Sequence, residues 1–272
     1  MKEVTDINSF YFDNTDGVKT LKCRALDAQG FKKHCFTTRE GGISEGYLAS
    51  TNLSFSREDR DTVTENYRRI AKAVGFSGCF ILTDQLHHDN IQVIDESFKR
   101  GEFVSAGEDI DGLITNERGM CLTVFIADCV PIIIADPKKR AVACVHSGWR
   151  GTAKKIAARA IALMADRYQS DARDLIAAIG PCIGKCCYEV GRDVFDGFCE
   201  IDAAAKQHFE SKADGKYMLD LNGANRAVLE ECGLSPDNIH ISHECTCCKS
   251  DIYYSHRATK GRRGNLAAMI EI

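Results

Sequence analysis

Three apolar runs set close together in the middle of the chain restrict its fold more than any other feature. Residues 120–126 and 131–135 are rich in β-branched side chains, and a third run, 141–145, follows after a short polar interval. Short, continuously apolar, β-branched segments read as strands covered on both faces. The first two runs flank a polar pair, Asp128 and Cys129, and the third leads into His146 and a glycine-bracketed loop, SGWRGT. After the loop, residues 153–168 are alanine-rich and space Ile156, Ala160, Leu163 and Arg167 as one face of a helix. Strand, tight loop and helix in succession place the first helical amides at a strand end, where they can bind an anion.

The remainder alternates between the two element types. The opening stretch includes YFDN and ends in a DG turn signal, Asp16–Gly17, which predicts a short edge hairpin. Residues 35–38 close a strand, and 39–46 turn on two adjacent glycines. Val63, Tyr67, Ile70 and Val74 predict a helix over 59–74 that stops at Gly75. Residues 175–179 read as a strand, 190–210 and 221–232 as helical, 239–242 and 253–256 as short strands, and 266–272 as a closing strand. No long linker or repeat interrupts the 272 residues, so one domain over 1–272 with a mixed α/β, or α+β, fold is expected.

Composition narrows the function. A formal net charge of -4 gives no basic footprint for nucleic acid or a membrane surface. The start lacks a basic-then-apolar export layout, and no stretch reaches the roughly 18 apolar residues of a membrane span. A cytoplasmic location follows, and with it fourteen cysteines held as thiols rather than as a disulfide framework.

His87, Cys129 and His146 each stand at or near a predicted strand end, where side chains distant in sequence converge. Two imidazoles and a thiolate match a catalytic zinc site with three protein ligands and one open position. The residues alone leave alternatives open: His88 competes with His87, Cys129 is equally a buried thiol, and Cys129 with His146 is also a nucleophile and its base. Two further groups, Cys182, Cys186 and Cys187, and Cys245, Cys247 and Cys248, are not read as a metal site, because adjacent cysteines usually point apart and no clean zinc-knuckle pair stands out.

The segments FTTREGG (36–42), QLH (85–87), DGLIT (111–115), ADCVPIIIAD (127–136), VHSGWRGT (145–152), GPCI (180–183), YEVG (188–191), SHR (255–257) and GRR (261–263) together resemble the bacterial multicopper polyphenol oxidase, or laccase-domain, family. That family has been reinterpreted as purine nucleoside phosphorylases with adenosine deaminase activity. The resemblance runs in order from about residue 34 to the end. It implies Zn(2+) held by His87, Cys129 and His146, phosphorolysis of adenosine, inosine, guanosine and methylthioadenosine, and deamination of adenosine. It also implies layered mixed β-sheets flanked by helices, similar to a cytotoxic deamidase toxin with a Cys-His pair and to cysteine hydrolases. Eight histidines are too few for the centres of a multicopper oxidase. Three positions depart from the family's usual pattern: His88 in place of glycine, Ser147 in place of alanine, and His256 in place of tyrosine or phenylalanine.

For such chemistry Asp128 is a candidate to orient a ligand or exchange a proton, with a buried hydrogen-bonding role as its alternative. Arg39 and Arg150, in glycine-containing loops, are candidates to clamp inorganic phosphate. Trp149, the only tryptophan, reads as a plug for its loop or a platform for a purine. Two other functions compete: a cysteine hydrolase or amidase using Cys129 and His146, and a non-catalytic, zinc-stabilised nucleoside- or partner-binding protein.

Overall fold

The computed structural model describes residues 9–272, and in it the three central runs become the strands Cys121–Ile126, Val130–Asp136 and Ala141–Ser147. They do not lie side by side. Val130–Asp136 and Ala141–Ser147 pair antiparallel in a six-stranded sheet, with Ile132 opposite Val145 and Ile134 opposite Ala143. Cys121–Ile126 joins a seven-stranded sheet, antiparallel to Leu266–Ile270 and parallel to Phe80–Leu82. Residues 127–129 therefore carry the chain from one sheet to the other.

Alternation along each strand assigns the faces. Leu122 and Val124 of one sheet meet Ile133, Ala135, Val142 and Cys144 of the other in a shared core. On the far side of the six-stranded sheet, Ile132, Ile134, Ala143 and Val145 pack with Ile156, Ala160 and Met164 of the helix Ile156–Tyr168 and Val228 of the helix Leu221–Glu231. On the far side of the seven-stranded sheet, Cys121, Ala267 and Met269 pack with Val63, Tyr67 and Ile70 of the helix Arg60–Val74. The layers run helix, sheet, sheet, helix, an α+β fold of mixed sheets flanked by helices. Strands covered on both faces need apolar residues at every position, which explains the unbroken central runs. A small third sheet joins Glu189–Val190, Tyr217–Leu219 and Phe209–Ser211.

Local chemistry sets the element ends. The Asp59 carboxylate accepts the Thr62 amide at the start of Arg60–Val74, and Gly75 closes that helix at φ 87°. The hairpin of Phe10–Thr15 and Val18–Cys23 turns through Asp16 and Gly17, both at positive φ. Residues 1–8 of the opening stretch, on which the reading against an export signal partly rests, lie outside the described residues. Among the described residues no helix is long and apolar enough to cross a membrane, and none of the fourteen cysteines is in a disulfide.

Several sequence expectations are corrected. Residues 153–168 are not one helix: Trp149–Ala153 ends before Ile156–Tyr168 begins, and Lys155 between them takes φ 57°. Residues 190–210 divide into the helix Arg192–Ile201, a 3-10 segment Ala203–His208 capped by Asp202, and the start of a strand. Residues 253–256 form no strand. Tyr253 and Tyr254 are buried plugs, the Tyr254 hydroxyl donates to the Leu48 carbonyl, and Ser255 caps the short helix His256–Thr259. Aromatic residues favour strands because they pack well on a half-buried face, and a buried loop uses them for the same reason.

His34 sets an acid limit on this fold. It is fully buried; its Nε2 accepts the Cys23 amide at 2.8 Å, and its Nδ1 lies 2.7 Å from the Phe31 carbonyl. Only the neutral ring with its proton on Nδ1 satisfies both partners. Burial holds its pKa down to about 4, against the opposing pull of the Phe31 carbonyl and Asp27. As pH falls from about 6.5 through about 4, the unfolded chain takes up a proton that the native ring resists, and roughly 3 kcal/mol of stability is lost. Thermal unfolding followed from pH 7 to pH 4 should show this loss in the wild type and a shallower one in His34→Gln; parallel curves would assign the acid sensitivity elsewhere.

Candidate functional site

One buried carboxylate organises the centre. Asp111, fully buried before the strand Gly112–Thr115, accepts the amides of Leu86 at 3.2 Å, His87 at 3.2 Å and His88 at 3.0 Å. Those three bonds hold His87 at φ 63°, a conformation that non-glycine residues seldom adopt. The same carboxylate accepts the Nδ1 proton of His146 at 2.7 Å, which fixes that ring's tautomer and leaves Nε2 as its free donor atom. Burial alone would raise the Asp111 pKa, but the His146 and amide hydrogen bonds hold it below the ordinary carboxylate value.

Cys129 is delivered by the turn between the sheets. Asp128, just before it, takes φ 90° and is pinned from three directions. Its carboxylate accepts the Thr246 hydroxyl at 2.6 Å and the Arg257 amide at 2.7 Å, and its carbonyl accepts the Ile183 amide at 2.8 Å. Asp128 therefore ties the two segments around 183 and 246–257 to the turn that carries Cys129.

His87, Cys129 and His146 converge: one donor atom from each lies within 4.8 Å of the others. Cys129 Sγ is 3.9 Å from His87 Nδ1, and the two imidazole centroids are 4.9 Å apart. His88 turns away, its Nδ1 at 2.7 Å from Asp109. A Cβ on Gly148 would stand 2.9 Å from His87 Nδ1 and 3.1 Å from Cys129 Sγ, so only glycine lets the backbone pass this close to the donors. Burial pushes the Cys129 thiol up, but His146 and His87 outweigh it and bring the pKa to about 6. Burial pulls His146 down, yet Cys129 and Asp111 raise it to about 9. Two nitrogens and a polarised sulfur around one point, with an outer carboxylate behind one ring, fit a metal ion with three protein ligands.

All three donors line a cleft of about 720 Å³. Phe55, Phe125, Trp149 and Tyr188 supply aromatic walls, and Arg150, Arg257, Arg263 and His256 supply cationic or proton-bearing groups. Trp149 is both plug and wall. Its ring packs onto the core beside Gly197 and carries the Arg150 guanidinium 4.3 Å from its centroid. Arg257 donates to the Cys187 carbonyl at 3.1 Å. Arg263 donates to Gly264 at 3.2 Å and to Asn265, and its buried Nε has no partner among the described residues.

Arg39 is placed elsewhere. Its guanidinium donates to the Ala49 carbonyl at 2.8 Å and the Ser250 carbonyl at 2.9 Å and lies over the Tyr254 ring, and it is not among the residues lining the cleft. Asp111, Tyr188, Arg257 and Arg263 received no individual role from the sequence, although each falls within a segment shared with the family. A lone aspartate before glycine reads as a turn residue, and nothing local reveals that it accepts four hydrogen bonds.

Residues 33–272 match the family model described as multi-copper polyphenol oxidoreductase laccase. The chain is 35% identical over 240 residues to the purine nucleoside phosphorylase YlmD of Geobacillus stearothermophilus, covering 86% of this chain and 88% of that protein. The crystal structure of YlmD from the same organism superposes with a TM-score of 0.85 at 33% identity, over 97% of this chain and 98% of that one. The Bacillus licheniformis hypothetical protein YfiH superposes with a TM-score of 0.88 at 29% identity, over 97% and 99% of the two chains.

Proposed function

The chain belongs to the multi-copper polyphenol oxidoreductase laccase family, and from that membership we propose that it is a zinc-dependent purine nucleoside phosphorylase with adenosine deaminase activity. Its substrates on this reading are adenosine, inosine, guanosine and methylthioadenosine, with inorganic phosphate as the second reactant. The observation that carries the proposal is the convergence of His87, Cys129 and His146 on a cleft walled by aromatic rings and three arginines, in a chain whose relative is named a purine nucleoside phosphorylase. When bound, zinc supplies a Lewis acid that brings the pKa of water toward neutrality.

The protein's own groups divide the remaining work. Phosphorolysis breaks the bond from the ribose anomeric carbon to the purine and forms one to a phosphate oxygen, so a dianion must be held beside developing positive charge on the sugar. Arg150, Arg257 and Arg263 take that task, and the unpartnered Nε of Arg263 makes it the best prepared of the three. Arg39, which is off the cleft and donates through Nε and Nη1 to two carbonyls, stabilises the surrounding loops instead. Trp149 and Tyr188 offer faces on which a purine stacks. Asp128 acts as a positioning residue, since both its carboxylate oxygens are engaged in holding Thr246 and the backbone of Arg257.

Incubating metal-analysed protein with adenosine, with and without phosphate, tests the proposal. Adenine and ribose-1-phosphate formed only with phosphate report phosphorolysis, and inosine formed without it reports deamination. Binding of adenosine with neither product would sink the enzyme reading and leave a binding protein. Arg150→Ala and Arg263→Ala should each lower the phosphate-dependent rate roughly 10- to 100-fold, the worth of a hydrogen bond to a charged group, and spare deamination; equal loss of both reactions would make these arginines structural.

The series Cys129, His146 and Asp111 also has the order of a nucleophile, a base and an orienting acid. A cysteine hydrolase would keep Cys129 open to alkylation in the metal-loaded protein, whereas a metal ligand would be protected.

A further inference from the structure

We propose that Cys186, Cys187, Cys245 and Cys248 form a second metal site, one that takes a single zinc ion through four thiolates. One sulfur from each lies within 4.8 Å of all the others. Cys248 Sγ is 3.6 Å from Cys186 Sγ and 3.4 Å from Cys187 Sγ. With Zn–S bonds of about 2.3 Å, the sulfurs of a tetrahedral site stand roughly 3.8 Å apart. The observed spacing is therefore close to that of a mononuclear site. An iron–sulfur cubane, in which every thiolate holds its own iron, spreads its sulfurs farther.

Cys245 and Cys248 are a C-x-x-C pair with Cys247 between them, a pattern obscured in the sequence by the extra cysteine. The fold leaves out the other two candidates: Cys182 Sγ donates to Asn222 at 3.1 Å, and the Cys247 sulfur is not one of those that converge. The four ligands come from two segments clamped by a parallel bridge between Cys182 and Cys245. Backbone amides of Gly184 at 3.2 Å and Cys248 at 3.5 Å already donate to Cys245 Sγ. A Cβ on Gly184 would stand 3.1 Å from Cys186 Sγ and 3.4 Å from Cys245 Sγ, so glycine is what lets the segments close. Soft, all-sulfur donors select zinc over magnesium or calcium, and exposed thiols such as Cys186 and Cys248 are a reactive liability when they hold nothing.

The role is structural. The two segments carry Ile183, Tyr188, His256 and Arg257 of the cleft, and Arg257 donates to the carbonyl of Cys187, a ligand residue. The ion would fix this wall without touching substrate. Binding would release the thiol protons and change no oxidation state.

Zinc per chain, measured by elemental analysis of protein isolated under reducing conditions, should be two in the wild type. It should fall to one in Cys186→Ser/Cys248→Ser, and also to one in Cys129→Ala/His146→Ala, which separates failure of this site from failure of the first. Should the serine variant not fold, cobalt(II) loaded into Cys129→Ala/His146→Ala should still give the thiolate-to-cobalt charge-transfer and intense visible bands of a tetrahedral four-sulfur site. A zinc content that Cys186→Ser/Cys248→Ser leaves unchanged, absence of those bands, or a disulfide joining Cys248 to Cys186 or Cys187 in freshly isolated protein would each overturn the proposal.

Discussion

Cys129→Ala is expected to lose the ion held with His87 and His146 and to lower kcat/KM for both phosphorolysis and deamination by about 10³-fold or more. Lewis-acid assistance is worth several kcal/mol of barrier, and each 1.36 kcal/mol is tenfold. Removing the sulfur leaves two imidazoles, one of which is already committed at Nδ1 to Asp111, and two neutral donors hold zinc poorly. His87→Ala and His146→Ala should act alike. Elemental analysis together with the adenosine assay checks this: full zinc occupancy at the first centre in all three variants would mean that these side chains are not its ligands.

Asp111→Asn should be nearly as damaging, for a different reason. The carboxylate accepts four hydrogen bonds, from three backbone amides and the His146 ring. An asparagine offers one oxygen and turns an N–H₂ toward the other donors, stranding buried groups at about 1–3 kcal/mol each. Two effects are expected together. Stability falls by roughly 3 kcal/mol, and zinc affinity at the first centre falls about 10- to 100-fold, as when a partner behind a metal-bound histidine is lost. Chemical denaturation and a competitive zinc titration read the two separately. Unchanged zinc affinity with reduced stability would reduce Asp111 to a loop anchor.

The strands of the core were legible because sheets covered on both faces demand uninterrupted apolar runs. Periodicity carries no information about which strand pairs with which, so nothing in 120–126 announced that it joins a different sheet from 130–136 and 141–147. The break at Lys155 was equally silent, since the alanine-rich sequence that follows it has the propensity of a continuous helix. At the site, the three donors were chosen from among alternatives by family resemblance. Arg39 and Arg263 show what such reading cannot reach: both are arginines in glycine-containing segments, and only the placement of Arg263 against the cleft and of Arg39 away from it separates them. The four sulfurs of the second cluster were hidden because neighbouring cysteines were expected to diverge, whereas the tight turn after Gly184 brings both Cys186 and Cys187 to one side.

The passage of residues 127–129 from one sheet to the other has a mechanical outcome. His87 lies on the loop that leaves the seven-stranded sheet at Leu82 and enters the six-stranded sheet at Ile91, His146 belongs to the six-stranded sheet, and Cys129 sits at a second crossing. An ion shared by them would fasten these two connections between the slabs of the core to one strand end: loading it would oppose shear of one slab over the other, and any sliding would loosen its grip on the ion. Affinity for the ion and resistance to unfolding are then two readings of one quantity, and chelation should soften the whole molecule rather than the cleft alone.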